Sequence, residues 1–333
     1  RWCAHRTAPP QRLRPDPMRT ATADRPNRSR RPTGHRRLSA RETNVFAALF
    51  WMVVALASFM AIAIAGRAAG QGVDTMHLMF YRSVVAVILV TIIVAASPGG
   101  LRQIATRRLT MHAMRNAIHF IAQFSWFFAL MLIPLAQLFA LEFTAPLWVA
   151  VLAPIVLRER LTVTRMVAAA IGFVGILVIV RPGAVPVSAG TLLALVAALG
   201  FAGSMIATKR LVATETILGI LFHMSWMQMV MAGIAILPEP KVPSLATFQW
   251  IAAIALLGLS AHFSLARAFT HADAIIVAPM DFLRLPLIMG VGFLLYSEPV
   301  EVWVLAGAAL VVAGNVVNLL GERRNRRSSA GVS

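Results

Sequence analysis

The sequence is poor in several residue types that soluble proteins use freely. It contains one cysteine, two tyrosines and 13 acidic residues among 333 positions. Because Cys3 is alone, neither an internal disulfide nor a zinc site built from several cysteines can form. Charged residues make up only 13% of the chain, about half the share of a typical soluble domain. So few charges cannot cover a soluble surface, which excludes an ordinary soluble enzyme.

Hydrophobic residues make up 59% of the chain, yet the formal net charge is +18. The charge is concentrated at the ends. Residues 1–43 contain 12 arginines against three acids, and residues 321–333 contain four arginines against one glutamate. We predict that 1–43 and 321–333 are basic cytoplasmic tails, the first proline-rich and disordered. No apolar signal segment precedes Val45, and Met18 is a candidate start of the natural chain.

The segment between the tails consists of apolar stretches separated by short polar connections. A membrane-spanning helix needs about 20 mostly apolar residues. We therefore predict an all-α integral membrane protein with ten transmembrane helices. Eight basic residues fall in the loops on one side and three on the other, which places both termini in the cytoplasm. The predicted spans cover residues 45–65, 75–96, 111–132, 135–157, 163–180, 188–207, 216–237, 247–268, 273–296 and 300–320.

The two halves of this membrane domain repeat each other at an offset of 139 residues. Glu142 corresponds to Asp281, and a phenylalanine follows each acid. At an offset of 142, Tyr81 corresponds to His223. Five spans per half require opposite insertion of the halves, an arrangement typical of secondary transporters. We predict inverted five-helix repeats over residues 44–181 and 188–320, with a duplicated scaffold that transports nothing as the alternative.

Several motifs of these repeats resemble the EamA type of the drug/metabolite transporter superfamily. The resemblance covers about residues 44–320 and implies a ten-helix carrier that exports or exchanges small metabolites across the cytoplasmic (inner) membrane. The chain departs from the family's usual Gly-Glu-Arg/Lys loop at Arg158 and Ser297. The motifs are Phe80-Tyr81-Arg82, the segment from Ala136 to Pro146, Leu157-Arg158-Glu159-Arg160-Leu161, Gly172-Phe173-Val174-Gly175-Ile176, Arg181-Pro182-Gly183, and Ala278-Pro279-Met280-Asp281-Phe282 with Arg284-Leu285.

Ionisable groups inside the apolar spans are the candidates for a substrate or coupling site, because a charge at the bilayer centre costs at least ~2.5–3.5 kcal/mol. Glu142 and Asp281 lie seven or eight residues into their helices, from opposite membrane faces. Pro146 and Pro286 follow them as predicted helix kinks. We predict that one acid binds protons or a cationic group of the substrate. The alternative for Asp281 is neutralisation by Arg284, three residues later on the same helical face.

Other polar and aromatic residues of the spans are secondary candidates. Arg82 is predicted to bind a carboxylate or phosphate, to pair with Glu142, or to reach the outer surface. His223 is a candidate because it matches Tyr81 across the repeat, although a lone histidine more often serves packing. Trp126 is predicted either to stack on a substrate or to pack. Small residues of the predicted fifth and last spans (Ala168, Gly172, Gly175, Gly307 and Gly314) are predicted to mediate close helix contacts.

The predicted function is secondary active transport of a small polar or zwitterionic metabolite, amino-acid-like or a nucleotide derivative, by alternating access. Proton coupling is left open. The alternatives are an integral-membrane lipid-modifying enzyme, for which no His-Glu-x-x-His or Asp-rich motif exists, and a receptor or scaffold with a basic tail. We expect membrane lipid and a small molecule as partners, no nucleic acid, no metal and no cofactor. A homodimer is considered, and the oligomeric state is left open.

Overall fold

The computed structural model describes residues 44–157, 162–184, 186–272, 277 and 280–330. The predicted disordered tail and the loop motif at 158–161 lie outside these residues. The regular secondary structure of the described residues is helical, and a 3₁₀ helix over Gly100–Ile104 follows α2. The α-helices are α1 (Val45–Gly70), α2 (Thr75–Ala96), α3 (Leu109–Leu132), α4 (Leu135–Glu142), α5 (Ala145–Leu157), α6 (Val163–Val180), α7 (Ala189–Leu211), α8 (Ile217–Ile236), α9 (Leu245–His271), α10 (Arg284–Tyr296) and α11 (Val302–Ala330).

Among the described residues, eight helical segments are long and apolar enough to cross a membrane, with α4 and α5 counted together as one of them. Two elements in predicted spans are not among the eight. α10 has only 13 residues, and α3 carries a row of polar side chains. α11 continues to Ala330, so the backbone stays helical beyond residue 320, where the tenth span was predicted to end. The chain is therefore an all-α, multi-pass membrane protein.

The bundle is built from antiparallel helix pairs. α1 runs against α9: the Asn44 N–H donates to His271 O at 3.1 Å, and the hydroxyls of Ser58 and Ser260 lie 3.0 Å apart. α3 runs against α7, and α2 runs against α8. We call the end of the bundle that contains Asn44 the proximal end, and the end where α1 finishes at Gly70 the distal end. The contacts of α3 with α7 include Arg115–Thr208, His119–Ser204, Ala122–Gly200 and Ile133–Gly190.

α6 and α11 approach each other through the small residues that were predicted to mediate close contacts. A Cβ atom added at Gly307 would lie 2.6 Å from the Gly175 carbonyl oxygen, and one added at Gly314 would lie 2.7 Å from the Ala168 carbonyl oxygen. Only residues without a side chain permit this spacing of the two backbones. The prediction of close helix contacts at these positions is confirmed.

We expect Gly307→Ala to lower the melting temperature of the detergent-solubilised protein, because the new methyl group meets backbone atoms that cannot rotate away. Overpacking of this kind costs about 1–3 kcal/mol. The matched control is Gly290→Ala, where an added Cβ has no neighbour within 4 Å. That change should raise the melting temperature slightly, since alanine is the better helix former. Equal shifts for the two variants would contradict the packing argument.

The chain interrupts a helix directly after each of the two acids. α4 ends at Glu142, the next two residues form a turn, and α5 begins at Ala145. Asp281 is likewise helical and followed by a two-residue turn before α10. Pro146 and Pro286 lie in the first turn of the following half-helix, where the missing N–H costs no intrahelical hydrogen bond. The interruptions thus come just before the prolines.

Candidate functional site

Glu142 is held in the bundle interior by α4. Four large apolar side chains of this short helix are at most 1% exposed, so the helix is fixed on several sides. The Trp126 indole N–H of α3 donates to Glu142 Oε2 at 2.7 Å. The position of this carboxylate is therefore set both by helix packing and by a directed hydrogen bond. The four side chains are Leu135, Leu138, Phe139 and Leu141.

Arg284 joins the two acids of the repeat. Its Nη2 atom lies 3.2 Å from Glu142 Oε1 and 3.5 Å from Asp281 Oδ2. We call these three residues the triad. The neutralisation considered for Asp281 is present, but the same guanidinium also pairs with the acid of the other half, a contact that sequence spacing could not predict. Two carboxylates and one guanidinium leave a formal charge of −1 in the interior.

Aromatic rings surround the Arg284 guanidinium. Its Cζ atom lies 4.7, 5.3 and 4.8 Å from the ring centroids of Phe59, Phe139 and Phe143. Trp126 packs edge-on against Phe139, at a centroid distance of 6.0 Å, and is only 7% exposed. The rings exclude water from the cation and add cation–π attraction, which strengthens in a desolvated setting. Trp126 therefore lies inside the bundle and directly beside the triad.

Arg82 lies apart from the triad and has no carboxylate partner among the described residues. Its Nη2 atom donates to Gln123 Oε1 at 2.8 Å and to Gln228 Oε1 at 2.9 Å. Its Cζ atom lies 5.8 Å from the Phe127 centroid. Of the three roles predicted for Arg82, pairing with Glu142 is not present in this structure.

Tyr81 and His223 occupy opposite ends of the bundle, and neither contacts the triad. At the distal end the Tyr81 hydroxyl donates to the Lys241 carbonyl oxygen at 3.1 Å. At the proximal end His223 Nε2 lies 2.9 Å from the Ile104 carbonyl oxygen, and its Nδ1 accepts from the Trp226 indole at 2.9 Å. Each side chain ties its helix to a connecting loop. These contacts place both residues at helix–loop junctions.

A second charged cluster, which the sequence analysis did not identify, closes the distal end. Glu298 forms an ion pair with Arg67 and accepts from the Leu135 N–H at 2.8 Å. Arg67 also donates to the carbonyl oxygens of Leu130 (3.0 Å) and Ile133 (2.9 Å). We call this cluster the distal latch. Arg67 and Glu298 are 231 positions apart, so the spacing of residues in the sequence could not indicate their proximity.

A cavity of about 360 Å³ adjoins the distal latch. The Tyr296 ring forms part of its wall, and the Arg67 Cζ atom lies 4.6 Å from that ring's centroid. The latch therefore sits between an open distal recess and the bundle interior. The lining residues are Arg67, Gln71, Met131, Leu132, Ile133, Pro134, Tyr296 and Glu298.

Polar residues of α3 recur every three or four positions along one face. Arg115 is buried and donates to Thr208 Oγ1 at 3.1 Å and to Asn116 Oδ1 at 2.8 Å. The row was missed because Arg115, Asn116 and Gln123 were not among the predicted site residues; their helical period is the signal that could have revealed them. It links the proximal end to the triad and consists of His112, Arg115, Asn116, His119, Gln123 and Trp126.

Within the described residues, no group of three or more His, Cys, Asp or Glu side chains is placed to hold a metal ion. The closest approach of imidazoles is that of His112 and His223, whose ring centroids lie 4.4 Å apart. His112 Nε2 lies 3.9 Å from Glu215 Oε2. This cluster packs the proximal ends of α3 and α8 together.

Comparison with known proteins assigns the fold and the class of protein. The sequence profile of the EamA-like transporter family matches residues 46–181 and, a second time, residues 188–320. A Brucella anthropi protein named riboflavin transporter is 28% identical over 277 residues, 80% of this chain and 95% of that protein. A Rickettsia bellii protein named S-adenosylmethionine uptake transporter is 24% identical over 278 residues, 82% of this chain and 94% of that protein. A crystal structure at 19% identity superposes with a TM-score of 0.56 over 84% of this chain and 98% of its own, which shows a shared fold.

Proposed function

The chain belongs to the EamA-like transporter family and is a transporter of small metabolites; we propose that it carries a polar or zwitterionic molecule across the cytoplasmic membrane by alternating access. It acts as a carrier, with no catalytic step of its own. Because relatives are named for riboflavin transport and S-adenosylmethionine uptake, these are the first substrates to test. The named uptake proteins favour uptake over the export or exchange that the resemblance implied.

We also propose ten spans in two inverted repeats, with both termini in the cytoplasm and the distal end facing away from it. The family profile matches the chain twice, which supports two repeats. The two spans beyond the eight apolar segments would be α3 and the interrupted helix that contains Asp281 and ends with α10.

The helix contacts support this layout, because they occur in pairs that the repeat exchanges. An offset of 139 residues converts the Gly175–Gly307 contact into the Gly314–Ala168 contact. The same operation relates the α1–α9 pair to the α7–α3 pair. Tyr81 and His223, which correspond at an offset of 142, each bind a loop carbonyl at opposite ends. A two-fold relation between the halves would produce this set of contacts.

The observation that carries the proposed mechanism is the triad at the two helix interruptions. Each half supplies one acid, and the guanidinium of Arg284 serves both. A net negative charge in a medium of low dielectric constant is stabilised by a proton or by a cationic group of the substrate. Since a helix is interrupted directly after each acid, movement of one half against the other would change which acid is paired.

We expect Glu142→Gln to abolish the response of transport to a pH gradient, because the amide preserves the hydrogen bond from Trp126 but cannot exchange a proton. Wild-type proteoliposomes should accumulate labelled substrate faster when the outside is acidic. The variant should show the same uptake with and without the gradient, while exchange of internal for external substrate continues. The panel of labelled substrates to be tested consists of S-adenosylmethionine, riboflavin and the amino acids.

Glu239→Gln is the matched control for this experiment. Glu239 lies in the loop between α8 and α9, and its exposed carboxylate pairs with Lys241 at 3.1 Å. A surface pair of this kind contributes at most about 1 kcal/mol, so the control should keep the full pH response. A Glu142→Gln variant that keeps it as well would contradict the proton role, and a wild-type protein that moves nothing in the panel would contradict the transport proposal for these substrates.

A further inference from the structure

The bundle interior contains a second polar centre, whose charge is opposite to that of the triad. We infer that Arg82, Gln123, Gln228 and His119 form an anion site, which binds a carboxylate or phosphate group of the transported molecule. The inference rests on the transport function proposed above and names the substrate class for it. The substrate would carry an anionic group at one end and a polar or cationic group that faces the triad at the other.

The first argument is that the positive charge of Arg82 is not balanced by the protein. Both oxygen atoms that contact its guanidinium belong to neutral amides. Arg115, further along α3, likewise donates only to a hydroxyl and an amide oxygen. Among the described residues neither arginine has a carboxylate within ion-pair distance. An arginine in a membrane interior is normally paired, so two neutral-partnered arginines indicate that an anion is supplied from outside.

The second argument is a set of buried polar atoms without partners. Arg82 Nε and Gln228 Nε2 are buried N–H donors that have no acceptor among the described residues. Gln228 is only 1% exposed, and its oxygen already binds Arg82, so its free –NH₂ group lies beside the same guanidinium. Buried donors that lack an acceptor destabilise the folded protein, because they lose their hydrogen bonds to water and gain none in return. An anionic oxygen placed among them would satisfy both.

His119 adds a third unsatisfied atom to this centre. It is 9% exposed, and its Nδ1 lies 3.2 Å from Ser204 Oγ. When the Ser204 hydroxyl donates to Nδ1, the hydrogen of the neutral ring is on Nε2, which has no partner among the described residues. His119 lies one helical turn from Gln123 on the polar face of α3, within electrostatic range of Arg82 and Arg115. With that tautomer, three buried donors of this centre, Arg82 Nε, Gln228 Nε2 and His119 Nε2, have no acceptor among the described residues.

The arrangement of charges selects a class of substrate. Arg82 lies against the ring of Phe127, which packs edge-on against Trp126 at a centroid distance of 5.1 Å, and Trp126 donates to Glu142. The anion site and the negative triad are thus separated by two aromatic side chains. A molecule with an anionic group, an apolar or aromatic middle and a polar or cationic remainder would match this order.

The test compares pairs of substrates that differ only in the anionic group, in proteoliposomes of the full chain. One pair is S-adenosylmethionine and its decarboxylated form, and the other is riboflavin 5′-phosphate and riboflavin. Arg82→Gln should raise the KM for the anionic member about 10- to 100-fold, the effect of losing a charge-assisted hydrogen bond. The KM for the member without that group should change less than about threefold. The pair that responds identifies the group as a carboxylate or a phosphate.

Gln228→Glu is an independent variant that keeps Arg82 and the size of the side chain. It places a carboxylate beside the guanidinium, which should exclude the substrate anion and raise the same KM. Arg82→Lys keeps the charge without the planar fork and should fall between wild type and Arg82→Gln. Arg267→Gln is the matched control, since this exposed arginine of α9 lies 5.6 Å from the Trp51 ring and away from the site.

The outcomes separate this inference from the proposed function. In one outcome the wild type transports the substrates, and Arg82→Gln weakens transport of both members of each pair equally. Arg82 then serves only the structure, and the anion site is overturned. Unchanged KM values in Arg82→Gln overturn it as well. If the wild type transports neither the four compounds nor the amino acids, the proposed function is contradicted, and this inference fails with it.

Discussion

Replacing Arg284 with leucine is expected to lower transport by at least about a hundredfold. The change removes the cation shared by Glu142 and Asp281 and leaves two carboxylates facing each other in the membrane interior. Breaking a buried pair by removal of one partner costs about 3–5 kcal/mol, a factor of more than a hundred in an equilibrium. At least one acid would have to take up a proton permanently, and an acid that keeps its proton cannot exchange it or bind a cationic group.

Two further variants distinguish loss of function from loss of folding. Arg284→Lys keeps the charge but loses the planar guanidinium that lies against Phe59, Phe139 and Phe143, so about tenfold lower transport is expected. The double variant Arg284→Leu with Asp281→Asn removes one acid together with the cation. It should recover the melting temperature of the wild type but not its transport. Initial rates in proteoliposomes and melting temperatures in detergent measure both properties.

Arg267→Leu is the control for the triad, because it removes an intramembrane arginine that has no carboxylate partner among the described residues. The transport rate of this variant should stay within about twofold of wild type, since the head group of Arg267 reaches the membrane surface. The triad interpretation fails if Arg284→Leu transports as fast as this control while folding normally.

The sequence was informative where charge contrasted with its surroundings. Glu142, Asp281 and Arg284 stand out because each interrupts an apolar run, and the repeat related the two acids to each other. The membrane class and helical fold followed from composition and from the lengths of the apolar stretches. These properties depend on local sequence alone, which is why they could be predicted without a structure.

The pairing of side chains from different halves could not be predicted in the same way. Arg284 was assigned to Asp281 because they are three residues apart, yet its nitrogen lies slightly closer to Glu142, which is 142 positions away. Gln123 and Gln228 carry no charge and drew no attention, although together they hold Arg82. Such contacts depend on how helices pack, and packing is a property of the whole bundle.

Replacing Glu298 with alanine is expected to open the distal end of the bundle. The side chains of Arg67 and Glu298 are only 13% and 15% exposed, so their ion pair is largely screened from water. The same carboxylate accepts from the Leu135 N–H at the start of α4, which has no side-chain cap of its own. The Glu298→Ala change therefore frees α1, α4 and the turn after α10 from one another. The closed distal end loses the stabilisation that the buried ion pair provides.

The opening is measured by labelling a buried cysteine. Ile133 lines the distal cavity and is 5% exposed, and Cys3 is the sole native cysteine. In a Cys3→Ser background, Ile133→Cys should react slowly with a membrane-impermeant maleimide in right-side-out vesicles. Adding Glu298→Ala should raise the labelling rate at least about tenfold, the effect of a 1.4 kcal/mol shift towards the open state. Labelling only in inside-out vesicles would contradict the proposed orientation.

Two variants determine whether the latch itself is responsible. A methyl group added at Gly292 would lie 2.5 Å from Glu298 Oε2, so Gly292→Ala displaces the carboxylate without removing its charge, and it should also accelerate labelling. Glu301→Ala breaks another ion pair at the distal end, in which Arg181 lies 2.9 Å from a carboxylate that is 48% exposed. Because exposed pairs contribute little, that variant should label at the wild-type rate. If all three variants label alike, the distal end opens for reasons other than the loss of the Arg67–Glu298 pair.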